Sequence, residues 1–226
     1  MKRLAKDLWI FDGETVSFYC CPFTTRMTVI RLHNGDLWLH SPITYSEELA
    51  ARLAELGNVK YLVAPNHLHH LYLPEWIEHY PEASLSGTDE VIRKRDDLHF
   101  AHSLNAEQEW PWREEIDQLL VSGSTLMQEC VFFHRPTRTL IVTDLIENFP
   151  PEHFTGWQRL LAKSAGILAP NGKTPLDWRL SFKKAEVQEH IREVNNWQPD
   201  RIVMAHGDIV RQDASEFLQR SFRWVW

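Results

Sequence analysis

Three short apolar runs, at 61–64, 139–142 and 202–205, each lead directly into side chains that bind metals. Tyr61, Leu62, Val63 and Ala64 precede Asn66, His67, His69 and His70. Leu140, Ile141 and Val142 precede Asp144, and Ile202, Val203, Met204 and Ala205 precede His206. Brief apolar runs bounded by chain breakers read as buried strands. Where helices flank a sheet, strand C-termini gather along one edge, and sites form there. The recurrence predicts a sheet protein whose His69, Asp144 and His206 converge, although they are far apart in sequence.

The richest of these stretches follows Pro65, with three histidines in four positions. Side chains alternate with period two along an extended loop, so His67 and His69 are expected to face one side. Imidazole suits zinc, iron, nickel and copper. His70, next to His69, would point away unless the loop kinks. Clustered histidines also occur as plain surface polarity, and Asp144 also reads as a turn cap.

Composition narrows the class. The chain has 226 residues, 43% of them hydrophobic, with ten Trp, enough for one sizeable core. The net charge of −7 argues against a nucleic-acid partner. No apolar run is long enough to span a membrane, and the first residues lack the apolar segment of a signal peptide. Cys20, Cys21 and Cys130 make a poor disulfide framework and read as small apolar filler in a reducing, cytoplasmic compartment. A Ser-His-Asp order, a glycine-rich phosphate loop and a Cys-x-x-Cys pair are all absent from the sequence.

The order of apolar runs and turn signals predicts one domain over 1–226. Strands at 8–11 and 16–19 flank Asp12-Gly13, and strands at 27–32 and 36–40 flank Asn34-Gly35. Thr44 and Glu47 form a capping box for a helix stopped by Gly57. A helix starts near Pro74, and Thr88 caps a further short one. Strands at 119–121, 128–133 and 139–142 follow; within its alternating strand Glu129 also reads as a solvent-facing residue. Pro150 and Pro151 open a helix carrying Phe154, Trp157, Leu160 and Leu161, with Trp157 read as core or lid packing. Ser181 caps a long helix with Val187, Ile191 and Val194 on one face. A terminal helix starts near Asp213.

These residues, in this order, resemble the metallo-β-lactamase-fold superfamily, which carries a His-x-His-x-Asp-His loop after a strand, a third His, a bridging Asp and a last His. His67 and His69 match the first two histidines, Asp144 the Asp and His206 the last His. Pro65, Asn66, His69, His70, Leu71, Trp76 and Pro81, with Ala205-His206-Gly207-Asp208, are similar to a branch known as a domain of unknown function. The resemblance implies an αββα sandwich, two mixed β-sheets flanked by helices.

It also implies a metal-dependent hydrolase of ester, phosphoester or amide bonds acting on a small molecule. Leu71, Tyr72 and Glu129 stand where the pattern has Asp, His and the third His. The resemblance therefore implies at most one tightly held divalent metal. Zinc leads, with iron or manganese as alternatives. The candidate ligands are His67, His69, His70, Asp144 and His206; Asp144 and His70 are candidates for catalytic roles, and Asp208 for orienting a ligand. The competing expectation is an inactive relative that binds a small molecule or protein.

Overall fold

The computed structural model describes residues 1–18 and 21–226; Tyr19 and Cys20 lie outside them. The chain begins β1 (Lys2–Ala5), β2 (Leu8–Asp12), β3 (Val16–Phe18), β4 (Cys21–Phe23), β5 (Arg26–Arg31) and β6 (Asp36–His40). It continues α1 (Glu47–Leu56), β7 (Asn58–Ala64), α2 (Leu73–His79), β8 (Ser84–Gly87), α3 (Asp89–Lys94) and β9 (His102–Ser103). Then come β10 (Ile116–Val121), β11 (Glu129–His134), β12 (Thr139–Val142), α4 (Gly156–Ala165), α5 (Leu176–Ser181), α6 (Lys184–Asn196), β13 (Arg201–Met204) and α7 (Ala214–Ser221). No helix among the described residues is long and apolar enough to cross a membrane.

These elements fall into two compact units, Met1–Glu14 with Thr25–Glu115, and Thr15–Thr24 with Ile116–Trp226. The first holds a mixed seven-stranded sheet in the order β1-β2-β5-β6-β7-β8-β9. Its antiparallel side is built on the Asn34-Gly35 hairpin, where Gly35 takes the positive φ of 88° that such a turn needs. Its parallel side runs from β6 through β9, with α1, α2 and α3 as crossovers. The core beneath the helices includes Leu39, Leu53, Leu62, Leu73 and Trp76. Trp76 is fully buried because its indole N–H donates to the Ile43 carbonyl at 2.7 Å.

Two expectations fail in this unit. Asp12-Gly13 does not turn a hairpin: β2 pairs with β1 and β5, whereas β3 pairs with β4. The helix cap is Ser46, whose hydroxyl accepts the Leu49 N–H at 3.2 Å, rather than Thr44. Ser46 stands immediately before Glu47 and Glu48, which favour the positive end of the helix dipole.

The second unit holds a four-stranded sheet, β10-β11-β12-β13, and the β3–β4 ribbon. Strand β12 runs antiparallel to β11 and parallel to β13. Helix α6 buries Val187, Ile191 and Val194, as its periodicity predicts, but begins after Lys183; Ser181 ends α5 instead. Glu129 is fully buried, not solvent-facing.

Helix α4 is turned over. It buries Ala162, while Trp157, Leu160 and Leu161 are 58%, 66% and 52% exposed. The alanine side lies on the cluster of Phe149, Phe154 and Ile167. The expected helix start is also split. Pro151–His153 form a 3-10 turn, and α4 begins only after Thr155.

Candidate metal centre

The second unit brings Asp144 and His206 together by strand register. Val142 lies opposite Met204 in the parallel β12–β13 pair, so the two chains leave the sheet side by side and the residues two places on become neighbours. His206 Nε2 stands 3.0 Å from Asp144 Oδ1, with both residues nearly excluded from water. The other ring nitrogen, Nδ1, lies 2.5 Å from the Thr24 carbonyl oxygen. A carbonyl only accepts, so Nδ1 carries a hydrogen. In the neutral ring Nε2 is then a lone pair aimed at a carboxylate oxygen. Two acceptors at that separation need a cation between or beside them, either a proton on the ring or a metal ion. A ring anchored through its far N–H on a carbonyl is also the usual arrangement of a metal-ligating histidine. The donor set, one buried imidazole and one carboxylate, fits a borderline divalent cation such as zinc.

Glu129 explains why Asp144 stays in place. Past the end of β12 the backbone N–H groups lose their strand partners and must be satisfied otherwise. The Glu129 carboxylate accepts from Thr143, Asp144 and Leu145, at 2.8, 2.8 and 3.1 Å. Burial, followed by the charge of Asp144, raises its pKa, although the hydrogen bonds it accepts work in the opposite direction. Glu147 is a second buried acid here, pushed well above the ordinary carboxylic range by burial and then by Asp144, Asp177 and Glu129. Asp208 is exposed, and the His206 ring is held by the Thr24 carbonyl.

In the first unit the histidine stretch is not extended. Residues 66–72 form tight turns, with the Asn66 side chain accepting from Leu68 and His69 backbone N–H groups at 2.8 and 3.3 Å. Period-two alternation does not apply to turns, and the three rings meet different partners. His69 Nδ1 lies 2.5 Å from Ser41 Oγ, which puts Nε2 on the ring's far side. Ser41 follows the end of β6 with a left-handed φ of 54°, a conformation that costs a non-glycine residue and is found at sites. His67 Nδ1 pairs with Glu90 Oε2 at 2.9 Å. His70 Nδ1 takes a guanidinium N–H of Arg95 at 3.3 Å, and burial, then Lys94 and Arg95, push its pKa down to about 4. Beneath them His40 is held neutral, its pKa driven down to about 3 by burial and then by His69. Leu71 is 57% exposed and Tyr72 packs on the Trp76 core.

Ser41 and Thr24 do not stand out in the sequence, and the clamping role of Glu129 does not either. Thr24 and Ser41 belong to no motif and act through position alone. Glu129 had a signal, since a carboxylate one strand before Asp144 stands on the neighbouring strand in a β11–β12 hairpin.

A family model described as a domain of unknown function (DUF4336) matches residues 5–160. No curated protein sequence matches the chain. Among solved structures, a metallo-β-lactamase from Pontibacter korlensis is similar at 10% identity and a TM-score of 0.67, over 99% of this chain and 97% of its own. The metallo-β-lactamase FIM-1 from Pseudomonas aeruginosa, solved in a mono-zinc form, is similar at 8% identity and a TM-score of 0.62, over 98% and 92%. A flavodiiron core, Flv1, from Synechocystis is similar at 13% identity and a TM-score of 0.67, over 99% of this chain and 60% of its own. At these identities the likeness shows the fold: mixed sheets flanked by helices, as in metallo-β-lactamases.

Proposed function

The chain belongs to the DUF4336 family and has the metallo-β-lactamase fold, and from that premise we propose that it is a metal-dependent hydrolase of small-molecule esters, phosphoesters or amides with one divalent ion. His69, Asp144 and His206 hold the ion in this reading. His70 Nδ1 accepts a guanidinium N–H of Arg95, so the neutral ring carries its hydrogen on Nε2 and would have to leave Arg95 to ligate. His67, anchored on Glu90 through Nδ1, is assigned to shaping the surrounding loop. The observation that carries the reading is the His206–Asp144 pair, with Nδ1 anchored on a carbonyl and Nε2 aimed at a carboxylate. Zinc is favoured by the donor set and by the mono-zinc form of FIM-1; the flavodiiron relative makes iron the runner-up.

When bound, such an ion lowers the pKa of a water and polarises the bond to be cleaved. The chain's own part is to keep the donors ready. The Thr24 carbonyl fixes the His206 tautomer, Ser41 holds the His69 ring, and Glu129 clamps the backbone that presents Asp144. The exposed Leu71 and core-packed Tyr72 favour a second reading, a binding module that kept the fold without turnover. Elemental analysis of untagged protein, followed by hydrolysis assays on ester, phosphoester and amide panels before and after chelation, separates the two. About one ion per chain with chelator-sensitive turnover is expected. Protein that retains no ion and takes up none from added zinc, iron or manganese ends the hydrolase reading.

A further inference from the structure

Apart from the candidate metal centre, the second unit contains a cavity of about 210 Å³ walled by cations. Lys173, Arg179, Arg220 and Arg223 line it, together with Phe217 and Trp224, and no lining residue is acidic. Among the described residues, none of these four cations forms an ion pair. In a chain of net charge −7, four cations around one small cavity without a counter-charge are a concentrated exception.

Two buried donors in this wall lack an acceptor, Arg179 Nε and Trp224 Nε1. A buried N–H without a partner costs free energy, and native structures retain such groups mainly where something else satisfies them. Arg179 is not loose. Its Nη2 donates to the Ala165 carbonyl at the end of α4, at 3.0 Å, which holds the guanidinium in place. Burial lowers its pKa, the response of a cation deprived of water and lacking an opposing charge. The floor is built as well. Ser221 Oγ donates to the Gly172 carbonyl at 2.7 Å, tying α7 to the loop that carries Lys173. Glu147 N–H donates to the Lys173 carbonyl at 3.3 Å on that loop's other side.

We propose that this cavity is a binding site for a phosphoryl group, taken up as a small phosphorylated molecule or a phospholipid headgroup. The donors match that chemistry and little else. Guanidinium forks bond phosphate oxygens in pairs, a lysine adds a point charge, and the indole N–H supplies a neutral donor. The volume admits a phosphate with a short substituent but not a folded peptide segment. Phe217 and Trp224 give that substituent apolar walls.

The site is tested by calorimetry and Trp fluorescence on the chelator-treated full chain at low salt, so that phosphate bound at a metal does not contribute. The probes are inorganic phosphate, glycerol phosphate, and vesicles with and without phosphatidic acid. Saturable binding of a phosphate probe is expected, on the order of tenfold weaker in the double variant Arg220→Gln/Arg223→Gln. Both arginines are exposed, so this variant folds without them. Trp224→Phe should lose the fluorescence response. Preference for the soluble esters identifies the small-molecule source, and preference for the phosphatidic acid vesicles identifies the headgroup. Absence of saturable binding by every probe overturns the proposal, as does equal binding by the wild type and the double variant.

Discussion

Nε2 of His206 and Oδ1 of Asp144 face each other at 3.0 Å across the ends of two parallel strands in register. The pair is a consequence of topology, because any residues two places beyond Val142 and Met204 would meet there. What is specific is the chemistry: an imidazole whose other nitrogen is committed to a carbonyl, and a carboxylate. Asp144→Asn removes the negative charge and keeps the shape. Zinc affinity, read by competition with a chromogenic chelator, should fall by more than the roughly 10–100-fold that loss of an outer partner costs. An unchanged affinity would show that Asp144 is not a ligand.

Glu129→Gln tests the clamp. The amide offers one oxygen where the carboxylate offers two, and it turns an N–H toward a backbone N–H of the 143–145 segment. Urea unfolding should show a loss of about 1–3 kcal/mol, the cost of a buried donor left unsatisfied. A variant as stable as wild type would mean that water replaces the clamp.

Much of the fold was legible because it rests on local rules. Asn34-Gly35 dictates a hairpin, Gly57 stops a helix, and the apolar runs ending at Ala64, Val142 and Met204 are strands. Asp144 and His206 were legible for the same reason, as polar residues just beyond buried strands. The failures share another cause. Ser46 outcompeted Thr44 because a cap is chosen by where the first turn packs. Glu129 went inward because its acceptors were needed at the end of the neighbouring strand, where the 143–145 backbone N–H groups lose their strand partners. The turns at 66–72 separated His67 from His69 because the Asn66 side chain captured two backbone N–H groups. Trp157, Leu160 and Leu161 form a good helical stripe, yet the stripe faces outward. Periodicity shows that a helix has an apolar face, but not which way that face is turned.

Glu147 should make stability fall with rising pH. Its folded pKa is raised well above 4.5, so the folded state holds this proton more tightly than the unfolded chain does. That contribution is complete below the unfolded value and disappears as pH rises through the folded one. Glu147→Gln mimics the protonated form permanently. Its advantage over wild type in urea unfolding should be near zero at about pH 4 and grow toward about pH 8. An advantage that does not change with pH would place the effect in packing.

His40 acts in the opposite direction. A histidine held neutral, with a folded pKa near 3 against 6.5 unfolded, contributes stability that is present above 6.5 and lost as pH falls toward 3. His70, at about 4, adds to the same slope. Acid unfolding should therefore begin below about pH 6 and flatten in His40→Leu. The ring of His40 stacks on Trp38 at 5.5 Å, so the variant keeps an apolar partner there. An acid limb of the same steepness in His40→Leu would exclude His40 as its source.

Neither compact unit is a continuous piece of chain. Residues 15–24 belong with 116–226, although they leave and re-enter the first unit's stretch of sequence. They are not a decoration. Phe23 meets Phe149 edge-on at 5.2 Å, and Thr24 supplies the carbonyl that fixes His206. A fragment starting near residue 116 would lack both, leaving the Phe149 cluster open on one side and the His206 ring without its anchor. We therefore expect the chain to unfold as one domain: a single urea transition, coincident by far-UV circular dichroism and Trp fluorescence. Limited proteolysis should yield no stable C-terminal half. Two separated transitions would show that the units unfold independently, and a folded fragment spanning 116–226 would show that the second unit stands without residues 15–24.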